Sequence, residues 1–196
     1  MAMLQITRLS AILFTGVSCK MRYGVLLLCT IFAGILSAQA VPQSRESLSC
    51  QRFAQKFYDW YVPLMQKQLS GPASDVALWR KPTVFSSNLL HALRIDSEAQ
   101  ARAKGELVGL DFDPFLGSQD PADRYEARHA TVNGGTCSVG VWRASPTDTA
   151  AKMDKPEAVA ELRQQNGRWQ FVNFRYSVGG PDLLHLLANL RDERRK

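Results

Sequence analysis

Apolar side chains recur at helical spacing through residues 48–69, where Phe53, Phe57, Trp60 and Leu64 share one arc and Cys50, Ala54 and Tyr61 flank it. At about 100° per residue this is the stripe of a helix laid on a core. Pro63 predicts a kink near its end, and Gly71-Pro72 a stop. Lys56 and Asp59 project away from the stripe and read as solvated, and residues 41–47 read as a polar leader. An extended stretch follows over 76–85. A second helix then runs from a cap at Ser86 or Ser87 to Ala103, closed by Gly105. Its arc holds Leu89, Ala92, Leu93, Ile95, Ala99 and Ala103, and two polar side chains intrude on it, Asp96 and Gln100.

Periodicity stops over 106–123, where Phe112, Phe115 and Leu116 give the segment apolar anchors of its own and predict a packed loop. Beyond it the period becomes two. Residues 125–132, the turn Asn133-Gly134-Gly135 and residues 136–144 form one hairpin; residues 158–165, Asn166-Gly167 and residues 168–176 form another. Strict alternation in the last strand puts Trp169, Phe171, Asn173 and Arg175 on one face. Val172, Phe174 and Tyr176 take the other, which implies a sheet covered on both sides. A short helix over 181–191 carries Leu183, Leu186, Leu187 and Leu190 in one stripe, with His185 opposite and exposed. The expected fold is α+β: N-terminal helices packed on a curved antiparallel sheet of about four strands, with a short C-terminal helix. It forms one domain over 48–190, followed by a basic, solvated tail over 191–196.

Charge changes the picture at the N-terminus. Three of the 24 basic residues and none of the 18 acidic ones fall in the first forty, so the net charge of +6 drops to +3 without them. Lys20 and Arg22 precede an apolar run over 23–36, and Ala38-Gln39-Ala40 supplies small residues where signal peptidase cuts. Residues 1–40 are therefore expected to be an export signal cleaved after Ala40, with Met1 or Met21 as the start. Neither apolar piece reaches the roughly 18 to 20 residues a membrane span needs, so no stable span is expected after cleavage. The localisation expected is periplasmic or secreted. Both signs of charge are interspersed through the remainder, which speaks against a nucleic-acid partner.

Of four cysteines, Cys50 and Cys137 remain after cleavage, in a compartment that favours a disulfide between them. No metal site and no cofactor are expected: CxxC, HExxH, P-loop and GxGxxG patterns are missing, and Asp111-x-Asp113 is followed by Pro114 rather than a calcium-loop sequence. The acidic side chains Asp111, Asp113, Asp120 and Asp123 are expected to cap turns. Asp96, Gln100, Trp169, Phe171, Asn173 and Arg175 are the candidate pocket, between helices and sheet. Asp96 and His129 are the candidate general bases, although His129 also reads as an ordinary strand residue.

The segments Phe57-Tyr58-Asp59-Trp60-Tyr61, Leu110-Asp111-Phe112-Asp113-Pro114-Phe115-Leu116 with Ser118-Gln119-Asp120, and Gly179-Gly180 before Asp182-Leu183-Leu184 resemble the bacterial secreted family known as domain of unknown function 3828. The element order also resembles the wider cone-shaped, nuclear-transport-factor-like superfamily. The resemblance spans roughly residues 48–190. It implies a curved sheet around a pocket and a possible homodimer, and no activity to carry over. The expected function is an exported binding or interaction module for an unknown small molecule or protein. Two alternatives stand beside it: an inhibitor or immunity-type protein acting on an exported enzyme, and a small isomerase- or dehydratase-like enzyme using Asp96 or His129 as base.

Overall fold

The computed structural model describes residues 44–67, 71–103, 108–144, 155–176 and 180–196. The expected export signal over 1–40, its cleavage after Ala40 and the choice of start codon lie outside them. Helix α1 spans Arg45–Met65 and begins where the Ser44 hydroxyl accepts the Ser47 N–H at 3.1 Å. That cap satisfies a first-turn donor, so residues 45–47 belong to the helix and not to a leader. Pro63 lies inside α1, in its last turn. The buried stripe is Cys50, Ala54, Phe57, Tyr58, Tyr61, Val62 and Leu64, whereas Phe53 and Trp60 are only partly covered. The stripe is rotated from the predicted one because two tyrosines bury their rings and pair their hydroxyls, a capacity that apolar periodicity undercounts.

The predicted extended stretch over 76–85 is instead helix α2, Ala73–Arg80, followed by a 3-10 turn at Pro82–Val84. Two turns burying only Ala77 and Leu78 are too short to display a helical period. Their signal is charge: Asp75 in the first turn and Arg80 in the last complement the helix dipole. Helix α3, Ser87–Arg102, starts as expected, with the Ser86 hydroxyl accepting the Leu89 N–H at 3.3 Å.

Strands β1 (Tyr125–Asn133), β2 (Thr136–Arg143), β3 (Ala158–Gln165) and β4 (Arg168–Arg175) form one antiparallel sheet in the order β1-β2-β3-β4. Both tight turns fall where the sequence places them. Gly134 and Gly135 sit at φ 56° and 74°, Asn166 and Gly167 at 51° and 72°, the left-handed pair that a two-residue hairpin demands. β1 is an edge strand, and α1 guards it. The Gln55 carboxamide donates to the Tyr125 carbonyl at 3.1 Å and accepts the Ala127 N–H at 2.7 Å, while Gln51 donates to the Ala127 carbonyl at 2.9 Å. Two glutamines thus stand in for a neighbouring strand, which removes the free edge groups that invite pairing with other chains.

Strict alternation fails in β4. Leu162 pairs with Phe171 and Glu161 with Asn173, leaving Val172 as an extra residue in a bulge. Past the bulge the faces exchange, so Phe174 joins Phe171 in the core and Asn173 and Arg175 leave it. Phe57, Tyr61, Phe85, Phe115, Phe171 and Phe174 then form one aromatic core, with Phe57–Phe171 at 4.9 Å and Phe85–Phe115 at 5.1 Å between ring centroids. Cys50 and Cys137, both fully buried, join α1 to β2 as a disulfide.

Helix α4, Leu183–Glu193, is capped by Asp182, whose carboxylate accepts the His185 N–H at 2.9 Å. It packs Leu183 and Leu187 inward against α3 and β4 and leaves His185 exposed. The whole is α+β, helices on an antiparallel four-stranded sheet with a short closing helix. Among the described residues no helix is long and apolar enough to cross a membrane.

Candidate functional site

A cleft of about 610 Å³ opens between α2, α3 and the segment 108–121. Leu78 of α2, Leu93 of α3, Met65, Leu110, Phe112 and Pro114 supply apolar wall; Asp75, Asp96, Ser97, Gln100, Asp111, Asp113 and Gln119 supply polar groups. A concave apolar surface with a few convergent polar groups is the usual form of a binding site.

Asp96 sits at 3% exposure on α3, so it intrudes on the apolar arc as predicted. Burial is tolerated because both oxygens accept hydrogen bonds, one from a guanidinium on Oδ1 and two on Oδ2. Arg194, at the end of α4, donates from Nη1 to Asp96 Oδ1 at 2.7 Å and to the Val108 carbonyl at 2.8 Å. The Leu110 N–H and Gln100 Nε2 donate to Oδ2 at 3.1 and 3.0 Å. Gly109 makes this closeness possible, since a Cβ there would stand 2.4 Å from Gln100 Nε2 and 2.7 Å from Asp96 Oδ2. The tail predicted as a solvated basic end is therefore partly structural: Arg194 is inside, and it ties the chain terminus to the cleft wall.

Three tyrosines hold the other wall. Tyr58 Oη donates to the Phe115 carbonyl at 3.0 Å, Tyr176 Oη to the Pro114 carbonyl at 2.7 Å, and Tyr61 Oη to Asp113. Asp113 also accepts the Phe115 and Leu116 N–H groups at 2.9 and 3.0 Å, the turn-capping role expected for it. Phe115 and Leu116 are fully buried, and the Phe112 ring meets Tyr176 edge-on at 5.0 Å. Burial pushes the Asp113 carboxyl up from 3.8 to about 6, against the lowering effect of Tyr61 and the two amides.

A raised carboxyl pKa means that the folded chain binds this proton more tightly than the unfolded one. The contribution to stability is fullest below about pH 4 and falls as pH rises to about 6. Relative to Asp113→Asn, the wild type should lose at most about 3 kcal/mol across that window and nothing further above it. Urea unfolding of both proteins across the window checks this; parallel curves would mean that the carboxyl is not desolvated.

The other predicted site residues are not brought together. Phe171 is fully buried in the core. Trp169 lines a separate groove with Phe53, Arg52, Lys56 and Arg168 and donates to Ser49 Oγ at 3.2 Å. Asn173 Oδ1 accepts the Leu184 N–H at 3.2 Å, and Arg175 pairs with Glu161 at 2.8 Å. Only Asp96 and Gln100 of the candidate pocket line the cleft, because the β4 bulge turned Asn173 and Arg175 away. His129 is exposed at a second bulge, in β1, at φ 54° with its ring 5.6 Å from Trp142. It does not meet Asp96. Among the described residues no three His, Cys, Asp or Glu side chains converge as a metal site.

At the cleft mouth, Asp111 accepts only the neutral Gln119 amide, at 2.9 Å. Neither Asp75 nor Asp111 has an ion-pair partner among the described residues, whereas Asp96 does. Asp120 is exposed, its carbonyl held by Arg143 at 2.7 Å. One residue that sequence reasoning missed is Trp79 on α2, exposed at 78%. Reading 76–85 as extended assigned it no face; a helical reading puts it opposite Ala77 and Leu78.

No protein-family model matches the chain, and no curated protein matches its sequence. The fold is similar to a chain in the crystal structure of the type VI native effector-immunity complex Tae3-Tai3 from Ralstonia pickettii, with a TM-score of 0.44 and 18% identity, covering 65% of this chain and 94% of that one. It is likewise similar to a chain in the selenomethionine form of that complex, with a TM-score of 0.43 and 20% identity, covering 67% and 98%. A likeness of that size does not decide what this chain binds.

Proposed function

We propose that this chain is an exported binding module whose cleft between α2, α3 and residues 108–121 docks a protein partner. One observation carries the reading. The cleft walls are fixed from behind by the Asp96–Arg194 pair and by three tyrosine hydroxyls, while the Asp75 and Asp111 carboxylates in its lining have no ion-pair partner among the described residues. A pre-formed site with unspent charge is arranged to receive a ligand, because little ordering cost falls on binding. The Cys50–Cys137 disulfide and the export signal read in residues 1–40 support an oxidising compartment.

The more specific form of the reading is an inhibitor or immunity-type protein whose partner is an exported enzyme. The exposed acidic positions Asp111, in the cleft lining, and Asp120, between the lining residues Gln119 and Pro121, favour it, since charge at a rim speeds and orients docking between proteins. The enzymatic alternative gains no support from its candidate bases. Both oxygens of Asp96 are engaged, and His129 lies on a different element with its ring against Trp142.

Ser97 lines the cleft on α3 and takes no part in the networks behind it. Ser97→Trp should therefore fill the cleft while leaving the fold, and hence the circular-dichroism melt, unchanged. The mature wild-type chain, incubated with its own cell envelope, is expected to enrich a protein that the filled variant loses. Enrichment of the same protein by both would contradict a role for the cleft.

A further inference from the structure

The outward face of α2 has no partner among the described residues. The helix buries Ala77 and Leu78 toward α1 and α3 and directs Trp79 into solvent at 78% exposure, the largest apolar side chain so exposed among the described residues. An indole left in water forfeits the burial free energy that a core position would give it. Trp79 is also the residue type most over-represented among the few that dominate protein interfaces.

Its neighbours on the helix decide what it would meet. At about 100° per residue, Asp75 lies about 40° from Trp79 around the axis and one turn before it. Asp75 is on the cleft side and lines the cleft together with Asp111. Arg80 falls about 100° further round, away from the cleft. The exposed ring, Asp75 one turn away and the cleft that Asp75 lines with Asp111 therefore make a strip, apolar at the ring and acidic beyond it. Its two carboxylates have no ion-pair partner among the described residues, and its neighbours in the lining are Leu78, Leu93 and Leu110.

We propose that this strip is the docking surface for a basic segment of the protein partner, with Trp79 as the apolar anchor and Asp75 and Asp111 receiving an arginine or lysine side chain that enters the cleft. The proposal rests on the cleft being a protein-binding site and names the chemistry of what binds. Charge complementarity selects the occupant: two carboxylates with no ion-pair partner among the described residues favour a cationic side chain, and an aliphatic stem on that side chain suits the apolar lining. An acidic or uncharged segment would leave both carboxylates crowded and unpaired.

The test uses a library of short random peptides displayed on phage as the probe, selected on the mature, disulfide-bonded chain. Enriched peptides should carry arginine or lysine next to a bulky apolar residue. Their affinity should fall by about tenfold or more in Trp79→Ala and in Asp75→Asn/Asp111→Asn, and survive in Trp79→Phe. Trp79 is exposed, so its replacement leaves the melting curve unchanged and the loss is one of contact. Peptides that lose binding in Ser97→Trp but not in Trp79→Ala or the double asparagine variant would overturn this surface and leave the cleft reading standing. Peptides indifferent to all three variants would overturn both. Enrichment of acidic peptides, or of none, would overturn the basic-segment proposal.

Discussion

Replacing Arg194 by methionine is expected to destabilise the domain by about 3 kcal/mol, although the residue is third from the C-terminus. The substitution keeps most of the aliphatic volume and removes the charge, so Asp96 is left as a buried carboxylate at 3% exposure with no cation. Removing one partner of a buried ion pair costs more than the pair itself contributes, because the remaining charge keeps its desolvation penalty. The Val108 carbonyl also loses its donor, which loosens the segment that forms the cleft wall. In Asp96→Asn/Arg194→Met the loss should be smaller than in Arg194→Met alone, since a neutral amide oxygen still accepts the Leu110 N–H. Urea unfolding of the three proteins measures this. A cost below about 0.5 kcal/mol for the single variant would show that the terminus is not anchored as described.

Removing the disulfide is expected to cost more. Cys50 and Cys137 lie 87 residues apart, and closing a loop of that length restricts the unfolded chain by about 4 kcal/mol in the chain-entropy description. The bridge connects the first helix to the second strand, so without it α1 is held on β1 and β2 by packing and the two glutamine contacts alone. Cys50→Ala/Cys137→Ala should lower the free energy of unfolding by about that amount and raise the denaturant dependence, because the unfolded chain exposes more surface without the crosslink. A loss under about 1 kcal/mol would mean that the unfolded chain is already restricted in the same way.

Local chemistry made the hairpins readable. Asn-Gly and Gly-Gly tolerate left-handed backbone, and their flanking strands alternate, so turn and strand reinforce each other in the sequence. The cap of α3 at Ser86 and the apolar anchors Phe115 and Leu116 were legible for the same reason. Helix α2 was not, because two turns with two buried residues give no period. The β4 bulge was not either: an extra residue at Val172 depends on what β3 offers across the ladder, and it moved Asn173 and Arg175 off the face assigned to them. Asp96 stands out in the sequence as a carboxylate on an apolar arc, yet Arg194 lies 98 positions away and no local pattern connects them. The site is thus visible as one misplaced polar residue and becomes a site only through contacts between distant segments.

The cleft as a protein-binding surface is tested most directly by where a partner touches. A photoreactive aromatic amino acid placed at Ala101, an exposed residue of α3 in the cleft lining, is compared with the same residue at Arg163, exposed in β3 on the face opposite the core strands' side chains. Each mature chain is irradiated in its own cell envelope, and the adducts are weighed. Docking in the cleft predicts a covalent protein adduct from position 101 and none from position 163. An adduct from position 163 alone, or a small-molecule adduct at position 101, would contradict it.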